Sequence, residues 1–248
     1  MKSSIVHPRL GEITISQNHR ARRISISVRP SGDVRLSLPY GISLKSAISF
    51  LESKAEWIEQ ARHKMADKAP PVQVIGMPFA TRRHNLRLNP AATRKITSRL
   101  VPGTRNTPAA TPVPGEIVVT YPAELHYSDP AVQEVIRRGI EKAWSAEAKE
   151  LLPGRLERLS EASGLPFRSV GVRNSVSRWG SCSSRNDISL SLHLMRLPDY
   201  LIDYILLHEL CHVKHKDHSK NFYQLLDTLT GGRNAELRRE LKKYNTRW

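Results

Sequence analysis

Five residues near the C-terminal end of the chain, His208-Glu209-Leu210-Cys211-His212, have the spacing H-E-x-x-H, which is typical of a zinc-hydrolase helix. On an α-helix, residues four positions apart lie above one another on the same face, so His208 and His212 can offer two imidazoles to one metal ion. Glu209 lies beside them, where its carboxylate can accept a proton from a water molecule that the metal activates. The pattern predicts a catalytic site with one Zn²⁺ per chain and Glu209 as its general base.

The residues before this motif predict a buried helix. The run from Leu197 to Leu207 is mostly apolar. Pro198 and Asp199 suit the first turn of a helix, where a missing N–H costs little and a negative charge meets the positive end of the helix dipole. Because two imidazoles and a carboxylate are expensive to bury without partners, this context favours a metal site over a helix with two surface histidines.

A catalytic zinc usually has three protein ligands, so a third ligand must come from elsewhere in the chain. His218 lies six residues after His212. In a continuous helix it would point away from the first two histidines, so it can bind only if the helix ends or bends within residues 214–217. The alternative is His215, which a continuous helix would keep near the same stripe. Glu236 is a weaker third choice.

Three blocks of the sequence resemble the YgjP-like metal-dependent hydrolases, which are relatives of the SprT-like and WLM zincin-type metalloproteases. One is R-W-G-S-C-S over residues 178–183, followed by I-S-L at 188–190. Another is H-E-L-C-H with His218, Ser219 and Phe222 after it, and a weaker one lies within residues 22–58. The resemblance implies a zincin-like fold, a catalytic Glu209, and zinc ligands at His208, His212 and His218.

The R-W-G-S-C-S block precedes a predicted strand. Residues 188–193 alternate between apolar and polar side chains, the period of a half-buried strand, and residues 170–176 are a predicted partner strand. In zincin-like enzymes an edge strand beside the active site pairs with an extended substrate. Gly180 would allow a close approach of the backbone. The candidate substrate-binding residues are Arg178, Trp179, Gly180, Ser181 and His193.

Several of these side chains have more specific predicted roles. Arg178 is a candidate for stabilising developing negative charge, and Trp179 is either a cleft wall or a core side chain. His193 and Tyr223 are further candidates for contacting the oxyanion. Cys182 and Cys211 flank the predicted site and are interpreted as small packing residues. Because two cysteines provide no disulfide framework, they suit a reducing interior, and we expect a cytoplasmic protein.

The chain is strongly basic, with a formal net charge of +16. Residues 68–115 contain no Asp or Glu, while basic side chains accumulate from Arg82 to Arg105, a stretch without aromatic residues. Such a surface attracts nucleic acid, anionic lipid headgroups or nucleotide phosphates, although base stacking lacks support. An ordinary solvated face is an equally good interpretation.

Peptide bonds are the default predicted substrate, because the helix motif is that of metallopeptidases. The first alternative is a metal-dependent nucleoside-triphosphate pyrophosphatase or phosphohydrolase, against which stands the lack of a Walker-type glycine loop and of an acidic cluster for Mg²⁺. The second alternative is a DNA-associated zinc-binding protein. No apolar run is long enough to span a bilayer, and the N-terminus lacks the apolar core of a signal peptide.

The predicted fold class is α+β, with a zincin-like metallopeptidase domain at 129–248 and an N-terminal β-rich accessory region at 1–128. The N-terminal region is expected to contain a small antiparallel sheet, a turn at 29–33, a helix capped by Ser43, and a basic, Pro- and Thr-rich insert at 82–115. A long helix is expected to begin at Asp129 and to end near Pro153, with a second helix after it. A single basic helix is expected at the C-terminus.

Overall fold

In the computed structural model the chain is α+β, as predicted, and its internal contacts divide it into two compact units, residues 1–73 and residues 74–248. The structure describes residues 2–17, 21–28, 32–67, 73–104, 113–246 and 248. Residues 29–31 of the predicted turn, and the centre of the basic insert with Arg105, Pro108 and Pro112, lie outside the described residues. Each unit has its own hydrophobic core.

The first unit is a four-stranded sheet with two helices. Its elements are β1 (Lys2–His7), β2 (Gly11–Gln17), β3 (Ser25–Val28), β4 (Val34–Leu38), α1 (Leu44–Glu52) and α2 (Ala55–Asp67). Ser43 caps α1 as predicted, accepting a hydrogen bond from the backbone N–H of Ser46 at 3.2 Å. The strand order is β1-β2-β4-β3, and β2 runs parallel to β4. The predicted antiparallel pairing is therefore present between β1 and β2 and between β3 and β4, but the sheet as a whole is mixed. The alternation of apolar residues determines the buried face and not the direction of the neighbouring strand.

A three-stranded sheet and a long helix begin the second unit. They are β5 (His84–Ala91), β6 (Thr97–Val101), β7 (Gly115–Pro122) and α3 (Pro130–Ser163), with β7 in the centre of the sheet. At Gly139 a Cβ would lie 2.9 Å from Ile117 Cγ2, so α3 approaches β7 closely. Ile117 and Val119 share one core with Ile136 and Ile140. The division between units therefore falls at 73/74 and not at the predicted 128/129, because these strands pack with α3.

Helix α3 continues through Pro153, whereas the sequence predicted that it would end there. A proline inside a helix removes one backbone hydrogen bond and costs about 3 kcal/mol. Leu152 and Leu156, on either side of Pro153, are completely buried in the core. Their burial offsets this cost, and the helix ends only at Gly164, which adopts the left-handed conformation at φ +66°.

The remaining elements surround the predicted site. They are β8 (Ser169–Arg173), β9 (Gly180–Cys182), β10 (Asp187–Ser191), a 3-10 helix (Leu192–Arg196), α4 (Asp199–Lys214), α5 (Lys220–Leu229) and α6 (Asn234–Leu241). The sheet order is β8-β10-β9, so β9 is an edge strand. The predicted single C-terminal helix is two helices, because Gly231 and Gly232 take positive φ angles between them. Within the described part of the chain, no helix combines the length and apolar character needed to cross a bilayer.

Candidate metal centre

Helix α4 carries the H-E-x-x-H residues and is buried along most of its length, as the apolar run before the motif predicted. It begins at Asp199, directly after Pro198, and ends at Lys214. His215 has an extended backbone, with φ −122° and ψ 106°. The helix therefore stops within the predicted interval, and the following loop leads back toward the site before α5 begins at Lys220.

This loop brings His218 to the other two histidines. One ring nitrogen from each of His208, His212 and His218 lies within 4.8 Å of the other two, and the Nε2 atoms of His208 and His218 are 3.2 Å apart. Phe222 of α5 is completely buried beneath them, with its ring centroid 4.5–4.9 Å from all three imidazoles. His215 is not a member of this cluster.

The imidazoles of His208 and His212 favour the neutral, metal-binding form. His212 Nδ1 lies 3.0 Å from the carbonyl oxygen of His215. Because a carbonyl oxygen can only accept, Nδ1 carries the proton and Nε2 keeps a free lone pair. Burial lowers the pKa of His208 to about 4 and also lowers the pKa of His212. Neutral imidazoles are the form that coordinates a metal ion.

Glu209 is almost completely buried, with only 5% of its surface exposed. A Cβ on Gly180 would lie 2.6 Å from Glu209 Oε1 and 2.8 Å from its carboxyl carbon, so β9 passes directly against this carboxylate. Burial raises the pKa of Glu209 to about 8, and the positive charge of Arg178 acts in the opposite direction. The close backbone approach predicted at Gly180 is therefore present, and Glu209 is the side chain against which this backbone lies.

A metal ion fits this set of residues. Three neutral nitrogen donors are a frequent ligand set of catalytic zinc and leave one coordination position open. Among the described residues, Glu209 Oε2 is buried and has no hydrogen-bond partner. A buried carboxylate oxygen without a partner is costly, and a water molecule beside the three histidines would donate the missing hydrogen bond.

The other candidate residues of the R-W-G-S-C-S block lie along the β9 edge. Arg178 is exposed, with its charge close enough to act on Glu209. Trp179 is half-buried and packs against the core, and its carbonyl oxygen accepts from the backbone N–H of Ser191 at 2.8 Å. Ser181 pairs with the next strand of the sheet. The edge strand itself was not predicted, because three residues are too few for a periodic pattern.

His193 was predicted to bind the substrate, and the structure places it in the core instead. It lies in the 3-10 helix and is completely buried, with Nε2 2.9 Å from Asn174 Oδ1 and its ring against Trp144. Burial lowers its pKa to about 4. A side chain without exposed surface cannot contact a substrate, so His193 contributes to the core. The alternation predicted to continue to residue 193 ends with the strand at Ser191.

The remaining candidate residues differ in their position relative to the histidine cluster. The Tyr223 ring lies 6.1 Å from the His218 ring, at the border of the cluster. Glu236 is exposed and paired with Arg233, outside the histidine cluster. Cys182 and Cys211 are free thiols, and burial raises the pKa of Cys211 to about 12, consistent with a packing role.

Lys216, in the loop between the clustered histidines, is a residue that was not predicted to belong to the site. Its Nζ donates to the carbonyl oxygen of Ser183 at 3.0 Å and to Asn186 Oδ1. Asn186 has φ +63° in the turn between β9 and β10. Lys216 therefore ties the loop that carries His218 to the hairpin that carries Gly180. The sequence contains no signal for this contact, which joins residues about 30 positions apart.

Part of the predicted basic surface is used for internal ion pairs. Arg82 donates to Asp199 at 2.7 Å and also to the carbonyl oxygens of residues 195 and 197. Arg83 pairs with Glu150, and Arg87 pairs with Glu116. These arginines connect the β5 region to α3, α4 and β7, which gives them structural partners that the sequence did not reveal.

Comparisons with known proteins place the chain in a family and find partial similarity to solved structures. Two solved metallopeptidase zymogens are similar in part: abylysin of Pyrococcus abyssi at 26% identity and jannalysin of Methanocaldococcus jannaschii at 18%. Each match has a TM-score of 0.32 and covers 36% of this chain and 90% of the other. No curated protein matches significantly. A family model, the YgjP-like metallopeptidase domain, matches residues 22–244. Because this match spans most of the sequence, the chain belongs to the YgjP-like metallopeptidase family.

Proposed function

We propose that this protein is a zinc-dependent metallopeptidase, with one Zn²⁺ held by His208, His212 and His218 and with Glu209 as the general base. The observation that carries the proposal is the convergence of three imidazole nitrogens within 4.8 Å of one another, next to a buried carboxylate oxygen without a partner. Imidazole ligands suit zinc better than they suit calcium or magnesium, which prefer oxygen.

The chain's own groups account for proton transfer at such a site. When bound, zinc acidifies a water molecule and polarises the carbonyl of the scissile bond. Glu209 Oε2 accepts the proton of the attacking water and delivers it to the amide nitrogen that leaves. A carboxyl group whose pKa is raised by burial is well matched to both tasks near neutral pH. The absence of a side chain at Gly180 leaves room for the carboxylate to take this position.

The exposed edge of β9 favours a peptide as the substrate. In the described residues, β9 has β10 as its strand partner on one side and no strand on the other. An extended peptide can add to such an edge through main-chain hydrogen bonds, which require no particular sequence. Arg178 and Trp179 precede this strand and are proposed to contact the peptide, together with Ser181. Neither the family nor the solved structures point to a nucleotide or nucleic-acid partner.

We also propose a cytoplasmic location, which the two free thiols support. Cys182 and Cys211 are unpaired, as is usual for proteins of reducing compartments. Fractionation of cells that express the full chain tests this location, and a signal in a secreted or periplasmic fraction would contradict it.

The test of the proposed function is zinc content measured together with hydrolysis of an unfolded protein. We expect one zinc per chain in the wild type and in Glu209→Gln, with cleavage by the wild type alone. His218→Gln should lose zinc, and its matched control His215→Gln should keep it. A wild type that binds no zinc even when zinc is supplied would exclude the proposal, and so would a Glu209→Gln variant that cleaves at the wild-type rate.

A further inference from the structure

A basic groove of about 710 Å³ lies beside the metal centre. Its lining residues are Tyr223, Asn234, Ala235, Arg238, Arg239 and Lys242. The Tyr223 ring connects the two sites, because its centroid is 6.1 Å from that of the His218 ring and 5.8 Å from the guanidinium carbon of Arg238. The groove therefore begins where the histidine cluster ends.

The positive charge in this groove is not neutralised within the part of the chain that the structure describes. Arg238 and Lys242 lie four residues apart on one face of α6 and its C-terminal end, next to Arg239, and none of the three has a carboxylate within ion-pair distance among the described residues. The nearby acidic side chains have other partners. Glu236 pairs with Arg233, Glu240 pairs with Tyr200 and Lys243, and Asp227 accepts from the backbone N–H of Asn234.

The orientation of Arg238 is favourable for binding an anion. Its guanidinium group lies over the Tyr223 ring, and such a contact holds the planar cation in place at little entropic cost. A guanidinium group can donate two parallel hydrogen bonds to one carboxylate. An extended peptide advances about 3.3–3.6 Å per residue, so a side chain roughly two to four residues from the scissile bond would reach this position.

We infer that the groove is a specificity subsite for a carboxylate of the peptide substrate, either an Asp or Glu side chain or the C-terminal carboxylate. The inference rests on the proposed function, because it places an acidic residue of the substrate close to the bond that the metal centre cleaves. Arg238 is the principal contact, and Lys242 and Arg239 provide the surrounding positive charge.

The test uses zinc-loaded full-length protein and matched peptides. One series replaces Gln by Glu at each of four positions on either side of the cleaved bond, and a second series compares a free C-terminal carboxylate with an amide. We expect kcat/KM to rise about tenfold to a hundredfold for the charged member at one position, the usual range for a hydrogen bond to a charged group. The first series identifies a side chain, and the second identifies the chain end.

Variants assign this preference to the groove. Arg238→Gln should lower kcat/KM for the charged peptide to the value for its uncharged counterpart, and Arg238→Glu should favour Lys at the same position. Lys95→Gln, which removes an exposed charge on the β5–β6 connection, should behave as the wild type. Equal rates for charged and uncharged peptides in the wild type would overturn the inference. An equal loss on both kinds of peptide in Arg238→Gln would do the same.

A binding measurement separates this inference from the proposed function. If no peptide is cleaved, the proposed function fails, and the subsite is then judged by the affinity of Glu209→Gln for the same peptides. Tighter binding of the charged peptide, abolished by Arg238→Gln, would uphold the subsite, and equal affinities would overturn it. Displacement of the acidic peptide by a short oligonucleotide at lower concentration would identify a phosphate-binding surface instead and would overturn the carboxylate assignment.

Discussion

At the scale of single residues, the pair formed by Glu209 and Gly180 determines the geometry of the candidate centre. The two residues belong to different elements, and any side chain at position 180 would occupy space that the carboxylate fills. Gly180 is not needed for an unusual backbone angle, since its φ lies outside the left-handed region. Its small size is what permits the contact, so the requirement for glycine arises from packing.

We therefore expect Gly180→Ala to displace Glu209 and to lower peptidase activity, while zinc content stays at the wild-type value. A misplacement of about 1 Å in a catalytic group can cost on the order of 10²-fold in rate. The matched control is Gly171→Ala in β8, where a Cβ would meet no atom within 4 Å. Rates and zinc content of both variants provide the comparison, and equal rates for the two variants would contradict the packing argument.

At the scale of elements, the end of α4 and the β9–β10 hairpin must be held together for the site to form. The loop after α4 carries His218, and Lys216 in that loop donates to Ser183 and Asn186 in the hairpin. The loop is also connected to the site by the hydrogen bond from His212 Nδ1 to the carbonyl oxygen of His215. The lysine contact therefore couples the metal-binding loop to the strand that lies against Glu209.

Replacing Lys216 by Met should remove this connection without removing any metal ligand. We expect weaker zinc binding by about 10- to 100-fold, the range observed when groups that orient metal ligands are lost. Competition with a chelator of known affinity measures the change. Lys214→Met, on the exposed surface of the last turn of α4, is the control and should bind zinc like the wild type. Equal affinities for both variants would show that the loop holds its position without Lys216.

A second connection joins β8 to β10 through Asp187. Its carboxylate accepts from Arg168 and from Ser169, each at 2.6 Å, and from Ser183. Arg168, followed by Ser169, holds the pKa of Asp187 well below its ordinary value. A carboxyl group with a lowered folded pKa stabilises the fold above its unfolded pKa, and this stabilisation is lost as the pH falls toward the folded pKa.

The free energy of unfolding should accordingly be higher for the wild type than for Asp187→Asn at neutral pH. We expect the difference to stay constant down to the unfolded pKa of about 3.9 and to shrink as the pH falls further. Denaturant unfolding from about pH 7 to pH 3 measures it. If the difference persists unchanged at the lowest pH, the carboxylate charge is not the source of the stabilisation.

At the scale of the whole molecule, the candidate centre belongs entirely to the larger unit. The core of residues 74–248 contains side chains from β5, β7, α3 and α4. The described part of residues 1–73 has its own core, built from the first sheet and helices α1 and α2. A boundary at 128 would remove β7 from the helix against which it packs.

A fragment of residues 74–248 should therefore fold and bind one zinc, whereas a fragment of residues 129–248 should not. The shorter fragment exposes the apolar surface of α3 that Ile117 and Val119 cover. Thermal unfolding and zinc content of both fragments test this expectation. Cooperative unfolding of the shorter fragment with bound zinc would place the boundary at 128 after all.

Local sequence alone predicted the features that depend on short-range periodicity. The spacing of His208 and His212, the buried character of α4 and its start near Pro198 all follow from helical geometry and from the residue types at the helix start. Tertiary structure decided what depends on contacts between distant segments. His215 and His218 both fit the sequence as third ligands, and only the path of the chain after Lys214 brings His218 and not His215 to the cluster. The close approach of Gly180 to Glu209 and the contact of Lys216 with the hairpin were equally hidden, because helical and strand periodicities describe one segment at a time and carry no information about which other segment packs against it.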